Sequence, residues 1–201
     1  MKIRNRGMNE AKKNKNDEFY TKYSTIEDEV KHYKSQPKDK VIYCNCDDYR
    51  RSNFVKYFKD NFEELGIKKL YATHYINQSR NLFNLTQYVE KPKFYQYDGK
   101  TEKISELRGD GDFRSEECLE ILKKSDIVIT NPPFSLVRKL ILLIVGNNKD
   151  MLIVATTGII AYRDTFHLLK DEKIRQGYLF NKCLEVEVPK STREVRGEKV
   201  S

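Results

Sequence analysis

Residues 126–134 read DIVITNPPF. The run from Ile127 to Ile129 is wholly apolar and β-branched, and it is bounded by an acid on one side and two prolines on the other. That is the pattern of a short strand buried on both faces, as in a parallel sheet. Pro132 and Pro133 cannot continue the ladder, so the strand has to end at Thr130. Three more runs share the texture: VIYCNC at 41–46, KLYATHY at 69–75 and MLIVA at 151–155.

Helical patterns fill the intervals. Phe19, Tyr20, Tyr23, Ile26 and Val30 recur at helical or near-helical spacing, with a start at Ser24 or Thr25 and a break at Pro37. Phe54, Val55, Phe58, Phe62 and Leu65 form one face of a helix over 52–65 that Gly66 stops. Ser115 caps a helix over 115–124, whose acids lie at its positive end and whose lysines lie at its negative end. A very apolar helix covers 135–145, and another covers 163–173 with Phe166, Leu168, Leu169 and Ile174 inward. KFYQYDGKTEKISEL predicts a hairpin turning at Asp98-Gly99. Strands alternating with helices make an α/β fold with a mostly parallel sheet and helices on both faces. In such sheets ligands bind beyond the carboxyl ends of the strands. The loops to read are therefore DDYRRS, the segment after THY, GDGDF and NPPF.

The whole composition agrees with one ordinary domain. The chain has 201 residues, 38 Lys and Arg against 30 Asp and Glu, and a formal net charge of +8. Mean hydropathy is −0.75, yet 13 Tyr and 10 Phe supply a core and argue against disorder. No apolar run nears the roughly 20 residues that span a bilayer, and the basic start lacks the apolar stretch of a secretory signal. A membrane or secreted protein is not expected. Residues 1–15 carry six basic residues against Glu10 and read as a flexible basic arm. Residues 16–180 read as the core, and 181–201 as a C-terminal tail. Cys44, Cys46, Cys118 and Cys183 are too scattered for a structural zinc site. They read as reduced, buried thiols, with Cys44 and Cys46 on the same side of their strand, and no metal is expected.

The tetrad Asn131-Pro132-Pro133-Phe134 is either a plain turn or a functional edge, and its place at the end of a buried strand favours the second. Its residue types suit methyl transfer to a conjugated amine. The side-chain oxygen of Asn131 and the carbonyl of Pro132 supply two acceptors for the amine's hydrogens. Pro132 and Pro133 lock the backbone, and Phe134 offers a stacking face for an extruded base.

The stretches NDEFYTKYSTIEDEV (16–30), YCNCDDYRRSNF (43–54), GDGDFRS (109–115) and DIVITNPPFS (126–135) resemble the EcoRI-type adenine-specific DNA methyltransferases. The resemblance covers about residues 16–180. It implies a Rossmann-like fold, S-adenosyl-L-methionine as cofactor, and methyl transfer to the exocyclic amino group of adenine in double-stranded DNA. The setting it implies is cytoplasmic restriction–modification or phage DNA modification, with no obligate protein partner. Residue by residue, it places Tyr20 and Thr21 over the methionine part of the cofactor. Cys44, Asp47 and Asp48 fall in the cofactor-binding loop, Ser52 and Asn53 near the carboxylate, and Thr73 near the ribose. Asp112 and Phe113 fall at the adenine ring. DDYRRS contains no glycine, and GDGDF and NPPF stand close together with no long insert between them. A target-recognition region would have to follow the core, where only the tail stands, so the expectation is a core without most of that region. A methyltransferase acting on RNA or protein, and an inactive remnant that binds nucleic acid or cofactor, are the alternatives.

Overall fold

The inner strands of the central sheet, over 41–44, 70–73 and 127–130, are buried on both faces, because helices cover both sides of the sheet there. The computed structural model describes residues 20–76, 91–180 and 186–187. The basic arm, Phe19, most of the 76–92 connection, Cys183 and nearly all of the tail lie outside the described residues. In chain order the elements are β1 (Tyr20–Thr21), α1 (Tyr23–Val30), a 3₁₀ turn (Lys31–Tyr33), β2 (Val41–Cys44) and α2 (Asn53–Asp60). Then come β3 (Lys69–Thr73), β4 (Lys93–Tyr97), β5 (Glu102–Glu106), α3 (Glu116–Lys124) and β6 (Ile127–Thr130). α4 (Val137–Gly146), β7 (Asp150–Ile153), a second 3₁₀ turn (Thr157–Ala161), α5 (Arg163–Lys170) and β8 (Val186–Glu187) complete the series.

Six strands form the main sheet in the order β5-β4-β3-β2-β6-β7. β3, β2, β6 and β7 are parallel to one another, whereas β4 and β5 join antiparallel at one end. Alternate residues of β2 point to opposite layers. Ile42 and Cys44 enter a core with Ile26 and Val30 of α1 and Phe54, Val55 and Phe58 of α2. Val41 and Tyr43 enter a second core with Ile121 and Leu122 of α3 and Leu140 and Ile144 of α4. This is the Rossmann-like three-layer arrangement expected from the sequence. No helix among the described residues is long and apolar enough to cross a membrane.

Several local expectations change. Cys44 and Cys46 do not share a side: Cys44 lies in the first core, and Cys46 packs against the second. The strand ends at Cys44, and the turn beginning at Asn45 breaks the two-residue alternation. α1 begins at Tyr23, one residue before the earlier of the two sequence starts, with no side-chain cap. α2 stops at Asp60, although Phe62 and Leu65 stay buried in the turns beyond it. The hairpin loop is not two residues long, since Tyr97 pairs with Glu102. Asp98 closes a four-residue loop by accepting from the amides of Lys100 at 3.0 Å and Thr101 at 2.7 Å, and from the Thr101 hydroxyl. On α5 the inward residue is Thr165, and Phe166 is about half exposed. The Thr165 hydroxyl bonds back to the carbonyls of Ile159 and Tyr162, which turns Phe166 outward. β8 does not extend the main sheet but pairs antiparallel with β1.

Candidate active site at the carboxyl edge of the sheet

The carboxyl ends of β2, β3 and β6 lie side by side, so the loops that follow them are neighbours. After β2 the chain turns through Asn45–Arg51 into α2. Ser52 caps that helix, its oxygen accepting from the amides of Phe54 at 3.1 Å and Val55 at 3.4 Å. The Ser52 hydroxyl donates in turn to Asp47 Oδ1 at 2.6 Å. The other oxygen of Asp47 accepts from the hydroxyl of Thr130, the last residue of β6. The Asp47 amide donates to the Thr73 carbonyl at the end of β3, at 3.0 Å. Thr73 Oγ1 lies 2.7 Å from the Tyr43 hydroxyl. Asp47, Ser52, Thr73 and Thr130 are all buried.

Thr21 joins this edge through Asn53, whose Nδ2 donates to the Thr21 carbonyl at 2.8 Å. Tyr20 pairs with Glu187 in the small two-stranded ribbon. Cys44 is fully buried, so its side chain belongs to the core and offers no surface to a ligand. Burial, with the Asp47 charge second, pushes both the Cys44 and Cys46 thiols well above the usual range.

The loop GDGDF rests on the segment after β3. The Ile76 amide donates to the Asp110 carbonyl at 2.8 Å. Gly111 has φ +79°, and a Cβ there would lie 2.1 Å from the His74 carbonyl oxygen. Glycine is required at this contact. Asp112 follows, half-buried, while Phe113 is buried in the second core with the Arg114 guanidinium 5.6 Å from its ring centroid.

Asp48-Tyr49-Arg50 and Asp112-Phe113-Arg114 share one pattern, an acid, an aromatic and an arginine, and one geometry. Asp48 accepts from the Arg50 amide at 3.1 Å, from Nε at 3.0 Å and from Nη2 at 2.9 Å. Asp112 accepts from the Arg114 amide and Nε at 2.8 Å each, and from Nη2. Burial opposes ionisation of Asp48, but its bonds to Arg50 outweigh that and hold the carboxyl below the usual range. At Asp112 the Arg114 side chain is the largest influence, burial opposes it, and the carboxyl is again depressed.

Asn131–Phe134 begins immediately beyond Thr130. Pro132 is buried, and Asn131, Pro133 and Phe134 are half-buried. The Pro133 carbonyl accepts from the Leu136 amide at 2.8 Å, a turn that leads into α4. Thr21, Asp47, Asp48, Ser52, Asn53, Thr73, Asp112 and Asn131 are thus gathered from segments far apart in the chain.

A family model described as "Adenine-specific methyltransferase EcoRI" matches residues 7–201. The chain belongs to this family. It is 44% identical over 181 residues to "Type II methyltransferase M.EcoRI" of Escherichia coli, covering 86% of this chain and 55% of that protein. It is 39% identical over 180 residues to "Type II methyltransferase M.MgeORF184P" of Mycoplasma genitalium and to "Type II methyltransferase M.MpnI" of Mycoplasma pneumoniae, covering 90% of this chain and 53% of each. The chain spans about half the length of these curated relatives. No solved structure matches it. A methyltransferase family implies a methyl donor of the S-adenosylmethionine type.

Sequence reasoning passed over Thr130 and Gly111. Thr130 had a readable signal, a hydroxyl closing an otherwise apolar strand. The need for glycine at 111 depends on the His74 carbonyl, which the sequence does not place.

Proposed function

We propose that this chain is the core of an S-adenosyl-L-methionine-dependent methyltransferase that modifies the exocyclic amino group of adenine in double-stranded DNA, in a cytoplasmic restriction–modification or phage-modification setting. The observation that carries this reading is the juxtaposition of Asn131–Phe134 with the Asp47–Ser52 loop at one sheet edge, through the Asp47–Thr130 hydrogen bond.

Two buried polar atoms support a ligand at this edge. Asn45 Oδ1 and Thr21 Oγ1 have no hydrogen-bond partner among the described residues, and such a group left unmatched costs about 1–3 kcal/mol. An acceptor from Asn45 and a hydroxyl from Thr21 suit the ammonium and carboxylate ends of a methionine moiety. Asp48 and Asn53 add a carboxylate and an amide there, and Asp112 adds an acceptor for an amino-purine. The resemblance assigns Tyr20, in β1, to the methionine part of the cofactor, Thr73 stands at the end of β3, and Phe113 backs Asp112 from within the core. When bound, S-adenosyl-L-methionine supplies an electrophilic methyl group on a sulfonium.

The chain's own residues act on the acceptor amine. The lone pair of the adenine amino group is delocalised into the ring. The Asn131 side-chain oxygen and the Pro132 carbonyl accept its two hydrogens and draw the nitrogen toward a pyramidal, nucleophilic form. Pro132 and Pro133 fix the backbone so that these dipoles need no reorganisation. Phe134 gives an extruded base a surface to stack on. The net charge of +8 favours a polyanionic partner through counterion release.

The test offers tritiated methyl donor to the full chain with duplex DNA, RNA and protein side by side, alongside calorimetry with S-adenosyl-L-methionine. Label in N6-methyladenine of duplex DNA is expected. Label confined to RNA or protein overturns the substrate, cofactor binding without transfer supports a binding remnant, and absence of cofactor binding removes the enzyme.

A further inference from the structure

We propose that Asp47 is a positioning residue rather than a cofactor ligand, and that with Thr130 it forms a brace that sets Asn131 against the cofactor loop. The inference rests on the methyltransferase reading above. Asp47 is 7% exposed and Thr130 fully buried, and a carboxylate so placed has to be matched by donors. Hydroxyls from two other elements supply them. Ser52 donates to Oδ1 from the cap of α2, and Thr130 donates to Oδ2 from the end of β6. Each oxygen keeps a further lone pair, but at 7% exposure and with a hydroxyl from a neighbouring element on each oxygen, little of this carboxylate is open to an ammonium.

The Thr130 hydroxyl works in both directions, since it also accepts from the Cys46 amide at 3.3 Å. The backbone of Thr130 is held too, its carbonyl accepting from the Val154 amide at 3.2 Å. Thr130 closes β6 and immediately precedes Asn131, whose backbone the following Pro132 restricts to the extended region. Locking the Thr130 hydroxyl onto the β2 loop therefore fixes how Asn131 is rotated about the strand axis. The same bond makes the cofactor loop and the amine-binding tetrad one rigid unit. Ser52 anchors the unit, because its oxygen is already oriented by the second and third amides of α2, those of Phe54 and Val55.

A valine at position 130 has the shape of threonine but neither donates nor accepts, whereas serine does both. The test compares Thr130→Val, Thr130→Ser and Asp47→Asn in the full chain by three measurements. These are calorimetry with S-adenosyl-L-methionine, single-turnover methyl transfer to duplex DNA at saturating cofactor, and amide hydrogen exchange over 131–136. For Thr130→Val and Asp47→Asn, transfer is expected to slow about 100-fold, the loss that a misplacement of about 1 Å brings. The cofactor dissociation constant is expected to stay within about three-fold, and exchange at Phe134–Leu136 to quicken. Thr130→Ser restores rate and protection. A purely structural role would lower thermal stability without separating rate from affinity. The brace is overturned if valine and serine variants transfer and exchange alike, or if Asp47→Asn loses cofactor affinity as steeply as rate. A wild-type chain that transfers nothing to DNA would sink the methyltransferase reading instead, and the exchange comparison would still decide the brace. Should Thr130→Val not fold, Asp47→Asn against Thr130→Ser carries the same comparison.

Discussion

Replacing Gly111 by alanine should damage the loop at 109–113 far more than the same change two residues earlier. Gly111 sits at φ +79°, where an L side chain costs roughly 1–2 kcal/mol. The added Cβ would also lie 2.1 Å from the His74 carbonyl oxygen and 3.0 Å from both the His74 carbonyl carbon and the Pro92 Cβ. Two of those three atoms are backbone, so no rotamer relieves the clash and the loop has to lift. Lifting it breaks the 2.8 Å bond from the Ile76 amide to the Asp110 carbonyl, worth about 0.5–1.5 kcal/mol. The sum is roughly 1.5–3.5 kcal/mol, or on the order of 3–14 °C in melting temperature for a chain this long. Asp112 moves with the loop, so cofactor affinity measured by calorimetry should fall at least ten-fold. Gly109→Ala is the control, because nothing lies within 4 Å of a Cβ there, and both quantities should stay near wild type. A Gly111→Ala protein that melts within a degree of wild type and binds cofactor within two-fold would refute the reasoning.

On the proposed mechanism Asn131→Ala removes one of two acceptors for the amine, and methyl transfer should fall roughly 10²–10³-fold with cofactor affinity nearly intact; an unchanged single-turnover rate removes Asn131 from the mechanism. Arg114→Gln takes away the main influence that depresses the Asp112 carboxyl. A carboxyl depressed in the fold contributes stability above its unfolded value and loses it as pH falls through the lower, folded one. In wild type that loss should come below the ordinary aspartate value of 3.8. In the variant the midpoint, followed by carboxyl-carbon NMR, should move upward; an identical midpoint would show that Arg114 is not the cause. Burial lifts the thiols of Cys44, Cys46 and Cys118, so none of the three should take up iodoacetamide at pH 8 while the protein is folded. Peptide mapping that finds rapid native labelling at any of them contradicts that upward shift.

Much of this protein was legible in its linear order. The runs 41–46, 69–75, 126–130 and 151–155 correspond to the parallel strands β2, β3, β6 and β7; both faces of the first three are covered, whereas β7, at the end of the sheet, is only half-buried. Ser115 caps α3 as its residue type predicts. Local boundaries failed where a side chain competed with the backbone. Asp98 captured two amides and lengthened a turn, and Thr165 bonded back to the 3₁₀ turn and put Phe166 outside. The similar tripeptides at 48–50 and 112–114 were in plain view, but their shared carboxylate–guanidinium geometry appears only once the loops are folded.

By itself, then, the order of residues determined the α/β class, the sheet edge where a ligand belongs and the family to which the chain belongs, because those depend on periodicity and on contiguous motifs. Which groups meet at that edge was decided by the fold alone. Asp47 and Thr130 are 83 residues apart in sequence, and their contact exists only because β2 and β6 are neighbours in the sheet. Whether an aspartate grips a ligand or a neighbouring strand depends on the donors that reach it. Those donors come from distant segments that only packing brings within hydrogen-bond length.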